Sequence, residues 1–274
     1  MFPKGILTGL TRSASSACGR TVTIPVRETA ERSTSRGERS PECRSGYRGS
    51  VPLVAAAVCP HPPLLVPEIA AGAAAELDPL RAACAAAVGS LTSAAVDMLV
   101  VIGGDRKTVR RSAPYGGTFL PWGLDVRVGE PTADPLPLSL LMGAWLAPDA
   151  GAFASVATHA TVAECVALGR ALAGTDENIA LLVMGDSSAR RGEKSPGYAD
   201  PRAADFDRAV AEALSKADTD ALLALDPDLA AELWVAGRAP WQVLAGAAAG
   251  AGLHGELLYD EAPYGVAYLV ASWR

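Results

Sequence analysis

Three histidines in 274 residues leave few ways to build imidazole chemistry, and one of them is placed for it. His61 follows the apolar run Leu53–Val58 and sits inside Pro60-His61-Pro62-Pro63. An apolar run of that length closed by proline reads as a buried strand, and α/β folds bind ligands just past the carboxyl ends of their strands. Two further runs end in the same style. Met98–Ile102 leads into Gly103-Gly104-Asp105-Arg106, and Ile179–Met184 leads into Gly185-Asp186-Ser187-Ser188-Ala189-Arg190-Arg191. A fourth polar pair, Asp260-Glu261, lies between the last two strand patterns. Parallel strands would bring the first three loops to one edge, where an imidazole and carboxylate oxygens suit iron, manganese or zinc. The plainer roles of these residues are a histidine bonded to a carbonyl and aspartates serving as helix caps or ion-pair partners of Arg106 and Arg190. His159 and His254 read as structural or surface residues.

The same loops admit an anion instead of a metal. Gly103, Gly104 and Gly185 let backbone amides approach a ligand, and Arg106, Arg190 and Arg191 carry the charge to clamp a carboxylate or phosphate. No P-loop and no glycine fingerprint follows a strand, so nucleotide binding lacks its motif. Ser187 and Ser188 lie in no nucleophile elbow, which leaves serine hydrolysis without support.

Charge divides the chain. The first 50 residues hold nine Lys/Arg against four Glu, which leaves 15 of the 24 basic and 26 of the 30 acidic groups in the remaining 224. An acidic body repels phosphate backbones, so nucleic acid is not an expected partner. The five cysteines show no metal-type or redox-type spacing, which fits a reducing cytoplasm. No apolar segment approaches the ~18 residues of a membrane span.

Residues 1–50, rich in Ser, Arg, Gly and Thr without hydrophobic period, read as a disordered basic tail or as a misassigned N-terminal extension. From residue 51 strand-like and helix-like patterns alternate. Strands are expected at 53–58, 98–102, 124–128, 152–157, 179–184, 256–259 and 265–272. Helices are expected at 68–90, 137–146, 161–173, 201–217, 227–236 and 241–249, the fourth strand leading to a capping box formed by Thr161 and Glu164. The long stretch 107–137 carries Tyr115, Phe119 and Trp122, and connections of that length are usually functional. The alternation predicts one α/β domain over 51–274, with a central, largely parallel or mixed sheet flanked by helices.

Taken in order, Pro60–Glu68 (PHPPLLVPE), Val100–Arg106 (VVIGGDR), Val183–Lys194 (VMGDSSARRGEK) and Ala236–Gly246 (AGRAPWQVLAG) resemble the class III extradiol ring-cleavage dioxygenases. The similarity is to a divergent bacterial subfamily like their catalytic B subunit, and it spans about residues 51–274. It implies a metal-dependent oxidoreductase that opens a catecholic or related aromatic ring, with Fe(II) held by His61, Asp105 and Glu261. In the family two histidines and a glutamate hold the iron; here Asp105 stands near the second histidine's place. The family's acid/base histidine falls in register with Ala189, leaving Asp186 and Ser188 as the polar groups beside the reaction. The resemblance further implies Arg106, Arg190, Tyr115 and Trp122 around the substrate, and pairing of copies into a homo-oligomer. The alternative is a protein of the same fold that binds a small anion or metabolite without catalysis, through Arg106 and Arg190.

Overall fold

The computed structural model describes residues 22–24, 53–92, 95–111, 113–193 and 195–274. Apart from Val22–Ile24, the expected disordered tail lies outside the described residues.

In chain order the strands are β1 (Val22–Ile24), β2 (Leu53–Cys59), β3 (Met98–Asp105), β4 (Val109–Arg111), β5 (Gly116–Thr118), β6 (Val126–Gly129), β7 (Ala152–Ala157), β8 (Ile179–Met184), β9 (Gly255–Glu261) and β10 (Tyr268–Trp273). The helices are α1 (Pro67–Ala70), α2 (Asp78–Leu91), α3 (Leu138–Leu146), α4 (Val162–Ala173), α5 (Ala203–Lys216), α6 (Thr219–Leu223), α7 (Pro227–Glu232) and α8 (Arg238–Ala248). Seven strands form a mixed sheet in the order β4-β7-β3-β8-β2-β10-β9. Its centre, β7-β3-β8-β2, is parallel, and β4, β10 and β9 close its flanks antiparallel. A small second sheet, β1-β6-β5, sits beside it. The mixed α/β architecture is the one expected.

Continuous apolar runs form the centre because both faces of these strands are covered. In β8, Ile179, Leu181 and Val183 pack with α4, α5 and α8, while Ala180, Leu182 and Met184 pack with α2 and α3. The same period of two splits β2, with Ala56 and Val58 on the first face and Ala55, Ala57 and Cys59 on the second.

The expected helix over 68–90 is instead α1, a 3-10 stretch at Ala71–Leu77, and α2. The interruption falls at Ala71, whose φ of 49° leaves the helical region, and Pro79 lies inside the first turn of α2, where a missing N–H costs nothing. The capping box at the start of α4 forms as expected, Glu164 N–H donating to Thr161 Oγ1 and Thr161 N–H to Glu164 Oε2. These bonds hold the Glu164 carboxyl below its ordinary range. The short strands β4 and β5 and the one-turn α6 carry too few residues to show a period.

Candidate active site at the carboxyl edge of the sheet

Register builds the edge. Gly103 pairs with Met184, and Met184 with Cys59, so two residues further along each chain Asp105, Asp186 and His61 come to the same level. On the other flank Ala271 pairs with Val58, and beyond the end of β2 the Asp186 loop reaches across to β10, where Ser187 and Ser188 bond to Ala267 next to Tyr268. Tyr268 pairs in turn with Glu261. Asp105, Asp186 and His61 therefore follow one another at the carboxyl ends of β3, β8 and β2, and Glu261 lies at the same edge, at the end of β9. Asp105 and Glu261, expected on loops, are the last residues of β3 and β9.

The closest contact in the row is His61 with Asp186. One oxygen, Asp186 Oδ1, accepts the backbone N–H of His61 at 2.8 Å and lies 3.5 Å from His61 Nδ1. Both side chains are mostly covered, at 13% and 17% exposure. Nδ1 is buried and has no hydrogen-bond partner among the described residues.

The loop bearing Asp186 is pinned on every side. Gly185 N–H donates to the Cys59 carbonyl, Gly237 N–H to that of Asp186, and Ser187 N–H to that of Ala267. Ala267 N–H returns to the Ser188 carbonyl, and Arg191 N–H reaches that of Gly265. Beneath the loop Asp207, 1% exposed on α5, accepts from Ser187 Oγ at 2.6 Å, Ser188 Oγ at 2.7 Å and Ser188 N–H at 2.9 Å. Arg191 completes the cluster at 3.1 Å. Ser188, expected beside the reaction, is fully buried and spends its hydroxyl on Asp207.

The other expected residues are dispersed. Asp105 takes the N–H of Arg106 at 2.7 Å and forms an ion pair with Arg111 at 3.5 Å. Glu261 accepts from the Tyr259 hydroxyl at 3.4 Å. Arg106 is exposed. Tyr115 packs on Phe153 of β7, with ring centroids 4.8 Å apart. Phe153 is level with Val101, four residues before Asp105, so Tyr115 lies roughly 13 Å below the edge at ~3.3 Å per residue. Trp122 packs edge-on to Phe119.

The donors as they stand do not make the iron site that the resemblance implies. Among the described residues no three His, Cys, Asp or Glu side chains are grouped to hold a metal ion. Asp105 and Glu261 are each engaged elsewhere, and among the described residues His61 and Asp186 are the pair of these four that touches.

Tyrosines surround the pair on the β10 side. Burial, reinforced by the charge of Asp186, pushes the Tyr268 hydroxyl far above its ordinary value, so it remains a proton donor. Burial and then Glu261 push Tyr259 up to about 12. Tyr264 is raised by its 2.9 Å hydrogen bond to Glu76. A raised tyrosine stabilises the fold fully below the unfolded value of 10.0, and that contribution is lost as pH rises beyond it. Denaturation midpoints should therefore hold steady up to about pH 10 and then fall. Tyr268→Phe should flatten the fall, as read by urea titrations across pH 8–12.

Two residues of this site, Tyr268 and Asp207, carried no functional expectation from the sequence. Tyr268 stands inside the strand expected at 265–272, with no role of its own assigned there.

No protein-family model matches the chain, and no curated protein matches it. Among solved structures it is similar to the uncharacterized protein JW3007 from Escherichia coli K12, at 15% identity and a TM-score of 0.46. The match covers 80% of this chain and 98% of that one. Among the described residues no helix is long and apolar enough to cross a membrane.

Proposed function

We propose that the protein holds a small, hydroxyl-bearing molecule at the carboxyl edge of its sheet, with His61 and Asp186 as the pair that meets the ligand's proton. The supporting observation is the buried, unpartnered Nδ1 of His61 beside Asp186 Oδ1. A buried polar atom without a partner is costly, and a ligand hydroxyl that donates to the pair or accepts from it removes that cost. The orientation of the pair is fixed before any ligand arrives, because the backbone of His61 itself binds the carboxylate. This extends the metabolite-binding alternative and needs no third protein ligand for a metal.

A second reading is the extradiol-type oxidoreductase implied by the sequence resemblance, in which Fe(II) would supply oxygen activation. It is favoured by the position of Asp105, Asp186, His61 and Glu261 along one edge of the sheet, although Asp105 would have to leave Arg111.

Catechol serves as a probe for both. The protein is loaded with Fe(II) without oxygen, given catechol, and then exposed to air. The first reading expects catechol to raise the thermal midpoint in metal-free protein, no yellow ring-opened product to form, and the shift to vanish in His61→Ala and Asp186→Asn. A yellow product that requires added iron and His61 overturns it in favour of the oxidoreductase. A thermal shift unchanged in both variants removes the pair from the site.

A further inference from the structure

We infer that Trp234, Arg190 and Tyr198 form a second binding site, on the surface beside the sheet edge, for a planar ring bearing an anionic oxygen group. The site is independent of the His61 pair.

The backbone of Trp234 is the first sign. Helix α7 ends in a Schellman turn, with Val235 N–H donating to Ala230 O at 2.8 Å and Trp234 N–H to Ala231 O at 3.2 Å. The residue at the centre of such a turn adopts a left-handed conformation and is usually glycine. Here it is Trp234, at φ 58° and 53% exposed. A large aromatic residue is held in a strained backbone and turned to solvent, and such strain clusters at binding sites. Tyr198 repeats the pattern at φ 59° and 78% exposed. Of the described residues only four other than glycine have positive φ, and the two large aromatics among them lie on neighbouring segments. Ala189 N–H donates to the Leu233 carbonyl, and Gly197 N–H donates to the Ala189 carbonyl, so one residue ties both aromatic-bearing segments together.

Arg190 is the residue that follows Ala189. Its guanidinium carbon lies 5.4 Å from the centre of the Trp234 ring, and Gly197 packs against its stem, where an added Cβ would lie 2.8 Å from Arg190 Cγ. Among the described residues Arg190 makes no direct ion pair, although Asp200 lies within range of its charge, and its buried Nε has no acceptor. A guanidinium over an indole presents its remaining donors at the ring's margin, in the fork that suits a carboxylate or phosphate.

Trp234 also forms a wall of a cleft of about 330 Å³, with Thr158, His159, Asp228, Ala236 and Arg238. That volume is at the small end of the ~300–1,000 Å³ of ligand pockets and suits a single ring. Arg238 is buried and committed to the carbonyls of Thr158 and Ala160, so it shapes the cleft without a free donor, whereas Arg190 sits on the Trp234 ring outside the cleft lining. Asp228 lines the cleft and disfavours a negative charge inside it, which leaves the ligand's anionic group on the Arg190 side of the ring.

Calorimetric titration of the full chain with benzoate and phenyl phosphate tests the inference, the two probes separating carboxylate from phosphate. Acetate and inorganic phosphate are controls without a ring, and benzamide is the control without charge. At least one ring-bearing anion should bind tenfold or more tightly than its control, and tenfold or more weakly to Arg190→Gln. Trp234→Gly should erase the advantage of the ring while raising the thermal midpoint, because glycine relieves the turn, so loss of binding cannot be ascribed to unfolding. His61→Ala should bind as the parent does. Absence of binding by both anions, equal binding of controls, or affinity unchanged in Arg190→Gln or Trp234→Gly would overturn the assignment.

Discussion

Asp207→Ala should be among the most damaging single changes to this fold, lowering the unfolding free energy by about 3–5 kcal/mol. Asp207 is 1% exposed and is the acceptor for the two serine hydroxyls, the Ser188 N–H and the Arg191 guanidinium. Truncation leaves Ser187 and Ser188, both fully buried, with donors facing an apolar hole, and strands the charge of Arg191, which is one-third exposed and partly rescued by water. Each abandoned buried donor costs about 1–3 kcal/mol, so the range for the cluster follows from two or three of them together. Asp207→Asn keeps the volume but turns an amide NH2 toward groups that are themselves donors, and should retain part of the loss. Urea denaturation gives both values from the midpoint and slope. A loss below about 1 kcal/mol for the alanine variant would show that the loop is held by its backbone bonds alone. Because that loop carries Asp186, the variant should also weaken catechol's thermal shift more than a surface change of equal stability cost.

The carboxylate under the loop could be read from the sequence only in part. On α5 the residues Ala203, Phe206, Val210, Ala211 and Leu214 recur at helical spacing as a buried stripe, and Asp207 falls on that stripe. A charge on an apolar face announces a buried partner but does not name it, since the partners lie 16 to 20 residues earlier in a loop of no regular period. The strands of the parallel centre were legible because both of their faces are apolar, and the positions of His61 and Asp186 past their ends followed from that, whereas Asp105 is the last residue of β3 itself. What spacing could not supply was the competition for each carboxylate. Asp105 goes to Arg111, on a three-residue strand too short to be expected, and Glu261 extends β9 to lie against Tyr259. Trp234 was hidden for a related reason: the sequence Glu232-Leu233-Trp234-Val235 continues the apolar pattern of α7, whereas the chain turns left-handed at the tryptophan.

Gly237→Ala should couple stability and site in one substitution. A Cβ at position 237 would fall 2.1 Å from Cζ2 of Trp241, a ring with no exposed surface and no room to retreat. On its other side the Cα of Gly237 is already so near β8 that a Cβ on Gly185 would come within 2.4 Å of it. Relief must therefore come from the 236–238 backbone, and that backbone donates the Gly237 N–H to the Asp186 carbonyl at 2.8 Å and places Ala236 against Gly104. Overpacking of a well-filled core costs typically 1–3 kcal/mol, and contacts with an immobile ring and a glycine backbone put this site at the upper end, about 3 kcal/mol. The displaced peptide releases Asp186 from behind, so the 2.8 Å bond from the His61 backbone lengthens and the pair loses its fixed geometry. A hydrogen-exchange experiment separates the two effects, since the His61 amide is protected by Asp186 rather than by a strand partner. In Gly237→Ala that amide should exchange faster by more than the global loss of stability accounts for, whereas in Asp207→Asn it should follow the loop. Equal acceleration of the His61 amide and the core amides of β8 would mean that the substitution acts on stability alone and leaves the pair intact.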